Sequence, residues 1–197
     1  MIERAALEVF AERGYYGASI DEIARRSGVT PPVVYDHFES KVALHKRLLE
    51  RTREELLEMW RENLAGDEPA EVRIPSALDA WARYVEDQPY TTRVFFFETT
   101  NDPEIAAVHR EIQDEARTAL GVIIGGLEGA ENIAGSLDPE ALEMAAEVIR
   151  SGLAGLAIWW RDHPEVPRER IVATAANAVL VGFDQVPRGL DDSRTPS

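Results

Sequence analysis

Ser19-Ile20-Asp21-Glu22-Ile23-Ala24-Arg25-Arg26-Ser27-Gly28-Val29-Thr30-Pro31-Pro32-Val33-Val34-Tyr35-Asp36-His37-Phe38 spells two short helices and the turn between them. Ser19 followed three residues later by Glu22 is a capping box, in which each residue can serve an otherwise unpaired N–H of the helix start. Ile20, Ile23 and Ala24 then form the inward face, and Gly28 suits the left-handed residue that ends a helix. Thr30 reads as the cap of the next helix. Pro31 and Pro32 fill first-turn positions whose N–H groups have no partner in any case. Two short helices joined at a glycine form a helix-turn-helix pattern, with the second helix free to enter a DNA groove.

The helical period continues on both sides. Ile2, Ala6, Val9 and Phe10 put one apolar stripe on a first helix ending near Gly14. Ser40 caps a long fourth helix from Lys41 to Leu64, broken by Gly66-Asp67-Glu68-Pro69. Punctuation by proline predicts five more: Pro75–Asp87, Pro89–Thr100, Pro103–Leu127, Pro139–Arg161 and Pro167–Val186. No segment alternates like a strand. The expected fold is all-α with about nine helices. A helix-turn-helix unit spans 1–45, a helical ligand-binding and dimerisation unit 46–186, and a frayed tail 187–197.

Composition narrows the function classes. The 197 residues are 45% hydrophobic and contain no cysteine, so a large core is affordable while disulfides, thiolate metal sites and a cysteine nucleophile are excluded. The net charge is −15. Residues 1–50 hold seven Lys/Arg against eight Asp/Glu, and the remainder 14 against 28, so the acid lies almost wholly outside the first segment. That distribution keeps non-specific attraction to nucleic acid low, and it also fits ordinary acidic helix surfaces. No basic-then-apolar leader precedes the first helix and no uncharged run approaches the roughly 20 residues of a membrane span. A cytoplasmic protein with no metal and no cofactor is expected.

The strings Phe10-Ala11-Glu12-Arg13-Gly14-Tyr15-Tyr16-Gly17-Ala18-Ser19-Ile20-Asp21-Glu22-Ile23-Ala24, Ser27-Gly28-Val29-Thr30 and Val34-Tyr35-Asp36-His37-Phe38-Glu39-Ser40-Lys41 resemble the opening of the TetR family of bacterial regulators. The resemblance covers residues 2 to about 48. It implies a homodimeric transcriptional repressor that binds a near-palindromic double-stranded DNA operator and is released by a small-molecule effector. On it, Ser19 and Thr30 meet phosphates, Tyr35 projects toward backbone or bases, His37 bonds a phosphate, and Lys41 meets the backbone with its helix dipole behind it. Val34 and Phe38 are core. Each role has a plainer alternative: Ser19 as a cap only, Tyr35 as packing, His37 and Lys41 as solvated surface. Pro31, Pro32 and Val33 stand where the family commonly has a polar or basic residue, then glycine and threonine. They offer apolar contact to thymine methyls, and Asp36 could accept from a cytosine amino group.

One short helix reads few base pairs, so useful affinity needs two heads on one duplex. Residues 151–159 and 173–183 mix small and large apolar groups on several faces, as a helical interface requires. Gly152, Gly155, Leu156, Trp159, Ala175, Ala178, Val179 and Gly182 are the candidate dimer residues, with intramolecular core as the alternative. Trp81, Tyr84, Tyr90, Phe95, Phe96, Phe97, Trp159 and Trp160 are candidates to line a pocket for a small apolar or aromatic effector, with Arg93, Glu98 and Arg150 as polar handles. Consecutive rings fan around a helix at about 100° per residue, so they cannot all face one core. The glycines Gly121, Gly125, Gly126 and Gly129 match no phosphate-binding fingerprint; they loosen a helix end or admit a close neighbour.

An enzyme is the reading from another class. Against it stand the lack of a Gly-x-Ser-x-Gly elbow or a His-Glu-x-x-His, and the scatter of His37, His45, His109 and His163 along the chain. A helical interaction protein whose helix-turn-helix does not bind DNA is the remaining alternative.

Overall fold

A computed structural model describes residues 1–97, 103–126 and 139–184. Among them lie nine α-helices and no strand: α1 (Ile2–Gly17), α2 (Ile20–Ser27), α3 (Pro31–His37), α4 (Lys41–Leu64), α5 (Ala70–Asp87), α6 (Pro89–Phe97), α7 (Pro103–Gly125), α8 (Pro139–Arg161) and α9 (Arg168–Asp184). The expected tail 187–197, and Glu98 and Gly129, fall outside the described residues.

Local chemistry sets the head, α1 to α3. Gly14, at φ 68°, breaks α1, which resumes for one further turn to Gly17. The Ser19 hydroxyl accepts from the Glu22 N–H at 3.2 Å. The reciprocal half of the capping box is replaced, because Glu22 binds Arg13 at 2.9 Å and Arg26 at 2.8 Å instead. At the end of α2, Gly28 adopts φ 73°, with its N–H on the Arg25 carbonyl and the Val29 N–H on the Ala24 carbonyl. Thr30 occupies the cap position of α3, but its side chain makes no capping bond. Proline at the second helical position has no N–H to offer, and the Val33 N–H is taken by the Thr30 carbonyl at 3.0 Å.

The body departs from its proline punctuation at one place. α5 begins at Ala70, five residues before Pro75. The reason is tertiary. Arg73, only 4% exposed, reaches back to the carbonyls of Leu64 at 2.8 Å and Gly66 at 2.6 Å. It thereby satisfies orphan acceptors at the end of α4 with a cation that its dipole favours.

Two main cores result, and the first crosses the expected boundary at residue 45. Ala6, Val9, Phe10, Ile23 and Val34 of the head pack in one cluster with Leu44 and Leu48 of α4, Val94 of α6 and Ile105, Val108 and Ile112 of α7. The second gathers Leu56, Ile74, Leu78, Trp81, Leu153, Ala157, Trp160 and Ile171 from α4, α5, α8 and α9. On α7, a Cβ added at Gly125 would lie 3.2 Å from Leu142 Cδ1, and one at Gly121 3.7 Å from the Leu142 carbonyl oxygen. These glycines admit α8, one of the two roles expected of them.

Candidate nucleic-acid interface and ligand cavities

α3 is a seven-residue rod with one side sunk and the rest outside. Val34 is fully buried, and Phe38 at the C-cap packs half-buried on the same core. Pro32, Val33, Tyr35, Asp36 and His37 are exposed, Tyr35 at 53%, and Pro31 is half-buried. Ser19 and Thr30, also exposed, stand at the starts of α2 and α3. The N–H groups and dipole of α2 favour an anion at Ser19, whereas Pro31 and Pro32 leave the start of α3 without first-turn N–H donors, so Thr30 offers its hydroxyl.

Lys41 is placed differently from the expectation. Its Nζ donates to the Tyr15 carbonyl at 2.8 Å and the Ala18 carbonyl at 3.0 Å, and lies 4.3 Å from the centre of the Tyr15 ring. The ammonium thus ties the α1–α2 loop to the first turn of α4. The head carries a second tie: Arg26 grips Glu12 at 2.6 and 2.9 Å and Glu22 at 2.8 Å. These hydrogen bonds hold both carboxyls below their ordinary range.

Beneath the head, residues far apart in sequence meet. His45 of α4 and His109 of α7 face each other with 3.2 Å between their Nε2 atoms. Phe10 and Tyr15 each pack edge-on against the His45 ring. Burial pushes His45 down to about 3, with the charges of His109 and Lys41 adding to the push, and burial lowers His109 as well. The two histidines lie 64 residues apart, and nothing in the sequence pairs them.

The aromatic candidates separate into two cavities. An inner one of about 60 Å³ is lined by Trp81, Phe95 and Phe96 together with Leu57, Leu120 and Leu153, and its polar wall is Arg53, Gln113 and Arg150. Arg53 pairs with Glu115 and Arg150 with Glu147. A wider cleft of about 460 Å³ takes Tyr90 and Trp160, beside Arg93. Tyr84 and Trp159 line neither. The Tyr84 hydroxyl donates to Glu55 at 2.9 Å, and Trp159, 45% exposed, stacks on His163 at 4.0 Å between ring centres. The side chain of Phe97 lies outside the described structure.

The candidate dimer residues divide as well. Gly152, Gly155 and Trp159 are exposed on one face of α8 with Met144, Val148 and Ile158, and Ala178 is exposed on α9 with Val181. Ala175, only 6% exposed, belongs to the second core, because α9 lies on α5 through Ile171, Ala175 and Ala176. It is core rather than interface. Leu156 and Val179 are half-buried against that core, and the side-chain environment at position 182 is not described. Among the described residues no three His, Asp or Glu cluster as metal ligands, and no helix is long and apolar enough to cross a membrane.

Comparison with known proteins places this geometry. Residues 2–48 match the family model "Bacterial regulatory proteins, tetR family". The chain is 27% identical over 93% of its length, and 81% of the relative's, to the HTH-type transcriptional activator FasR of Mycolicibacterium smegmatis. It is also 27% identical to the HTH-type transcriptional repressor BepR of Brucella suis biovar 1, over 79% of this chain and 77% of that one. Among solved structures, a bacterial regulatory protein of the tetR family from Rhodococcus superposes with a TM-score of 0.72 at 26% identity, covering 94% of this chain and 96% of that one. The transcriptional regulator FadR of Bacillus subtilis, in complex with stearoyl-CoA, gives 0.76 at 19% identity over 92% and 97%.

Proposed function

We propose that the chain is a DNA-binding transcriptional regulator of the TetR family, that it binds a near-palindromic operator as a homodimer and that it responds to a small apolar or aromatic effector. The observation that carries the reading is the exposure of α3, with Tyr35 and His37 outward while Val34 anchors the rod. In this reading Pro31, Pro32, Val33, Tyr35 and Asp36 face base edges, and Ser19, Thr30 and His37 meet phosphates. Lys41 positions the head rather than touching DNA. Selection of bound duplexes from a random library tests it. A palindrome with half-sites about one helical turn apart is expected, and recovery of no enriched sequence overturns the assignment.

Dimerisation would use the exposed face of α8, through Gly152, Gly155, Ile158 and Trp159, beside that of α9, through Ala178 and Val181. Two helices from each subunit would form a four-helix seam that buries these apolar groups. Ile158→Glu puts a charge in the seam, and sedimentation should then show monomer; an unshifted dimer removes this face from the interface.

The effector enters the inner cavity. At about 60 Å³ it is far below the roughly 300–1,000 Å³ of ordinary ligand sites. The effector must therefore bind an opened form, and the seam of α7 on α8 at Gly121 and Gly125 is where room can be made. An acyl chain such as that of the stearoyl-CoA bound by FadR is the first chemistry to try, its polar end toward Arg53 or Arg150. Occupancy that changes the spacing of the two heads would shift the population away from the operator. Repression is our principal reading. The similarity to FasR, an activator by name, favours the opposite sign, and a promoter reporter with and without the chain distinguishes them.

A further inference from the structure

The wider cleft lies where head meets body. Its walls are Ala11 and Glu12 of α1, the α5–α6 corner, and the end of α8 at Ala157 and Trp160. At about 460 Å³ it falls within the ordinary range for small-molecule sites without rearrangement, in contrast to the inner cavity. We propose that this cleft is a second binding site, for a small amphipathic carboxylate, and that its occupant clamps α1 to α6 and α8.

Three observations converge. The wall is mostly apolar, with Tyr90, Trp160, Pro89 and Pro164 presenting flat faces to an aromatic or aliphatic body. Thr92 lines the same space at 3% exposure, and its Oγ1 has no hydrogen-bond partner. A buried hydroxyl left unpaired is costly, and its oxygen has no exposed surface, so a ligand oxygen meets it once the Thr92 side chain turns toward the cleft. Arg93, one residue on, is exposed at the rim and makes no ion pair among the described residues. The two acidic groups on the wall are already neutralised, Glu12 by Arg26 at 2.6 Å and Glu86 by Arg168 at 2.8 Å. The unmatched charge at the cleft is therefore positive, and a carboxylate matches it.

The consequence follows from the lining. A molecule touching α1, α6 and α8 together binds only the arrangement of head and body seen here, so it stabilises that arrangement against any in which the head swings. The site needs neither DNA nor a second subunit, and it is independent of what opens the inner cavity.

Titration with 2-naphthoate and the uncharged 2-naphthylmethanol tests the site on the intact chain. Saturable binding of both is expected, accompanied by slowed amide exchange in α1, α6 and α8. Arg93→Gln, at an exposed position, should weaken 2-naphthoate about tenfold while leaving the alcohol nearly unchanged. Thr92→Val keeps the shape and removes the hydroxyl, and should weaken both. Ala116→Trp, at a residue of α7 that lines the inner cavity and not the cleft, should alter neither. Absence of saturation at millimolar probe, an Arg93→Gln effect equal for both probes, or loss of binding in Ala116→Trp would each overturn the proposal.

Discussion

In the head, the helix starts and the turn are fixed by partners three to five residues apart, while the side-chain ties of Lys41 to Tyr15 and Ala18 and of Arg26 to Glu12 reach farther. Ser19 caps an N–H three residues on, Ser40 does the same for Ala43, and Gly28 closes two backbone bonds to Ala24 and Arg25. In the body, the start of α5 is fixed by Arg73 on the carbonyls of Leu64 and Gly66, and the inner cavity gathers side chains from α4, α5, α6, α7 and α8. The head leaves one side of a rod exposed, whereas the body folds most of its distinctive residues against one another. In the proposed reading, a helix that reads DNA has its ends set by short-range chemistry and its outer face left unoccupied. A region that must accommodate a ligand depends on packing between distant segments, which can rearrange.

The sharpest way to break that contrast is to ask whether the head stands alone. Ile105 of α7 is fully buried in the cluster that includes Phe10 and Val34. Ile105→Ala should therefore cost about 2–5 kcal/mol and Phe10→Ala about 3–5 kcal/mol, each with one cooperative melt. A two-step melt in which Ile105→Ala spares the head would show that the shared core does not couple the two regions.

Acid probes the same junction. His45 is held neutral, its pKa lowered from 6.5 to about 3, and that of His109 is lowered too. Below about pH 6.5 the unfolded chain takes up protons that the folded chain refuses. Stability is thus fully present above that pH and falls as pH drops toward 3. Thermal melts should show this decline, and His45→Leu should make it shallower. An unchanged pH profile in the variant would remove the histidine pair as its cause.

Within the head, two substitutions should separate support from contact. Lys41→Met loses charge-assisted bonds to two carbonyls, each worth about 1.5–3 kcal/mol. It should lower the melting temperature without changing the salt slope of DNA binding. Tyr35→Ala should do the reverse, leaving the melt intact and weakening the operator complex by about 1–3 kcal/mol. If loss of Lys41 instead reduces the slope by about 1, its ammonium reaches a phosphate after all.

The smallest effect is expected at Gly152, where an added Cβ meets nothing within 4 Å in the single subunit. Gly152→Ala should stabilise α8 by about 0.5–1 kcal/mol in the monomer. It should also weaken self-association if another helix approaches there, and sedimentation that is unaltered would take Gly152 out of the seam.

Most of the helices were legible because caps, prolines and apolar period act over three or four residues. The α2–α3 turn, the exposed Tyr35 and the start of α8 at Pro139 follow from such signals. The outward placement of Tyr35, Asp36 and His37 was legible for the same reason, whereas that of Lys41 was not. Its spacing marks a helix start, while its direction depends on where Tyr15 and Ala18 place their carbonyls. The early start of α5 was hidden because Arg73 acts through the folded chain on the end of another helix. Ala175 was misassigned because a small residue on an apolar helix fits a core or an interface equally well, and only its neighbour α5 decides.

By itself, then, the sequence determined the succession of helices among the described residues, the head's turn geometry and the outward face of α3, since each rests on local backbone chemistry. Only the tertiary structure decided which aromatics share a cavity, that His45 meets His109, and that the head shares its core with α6 and α7. Those depend on contacts between residues tens of positions apart, and side-chain burial is a property of the packed chain rather than of any window within it.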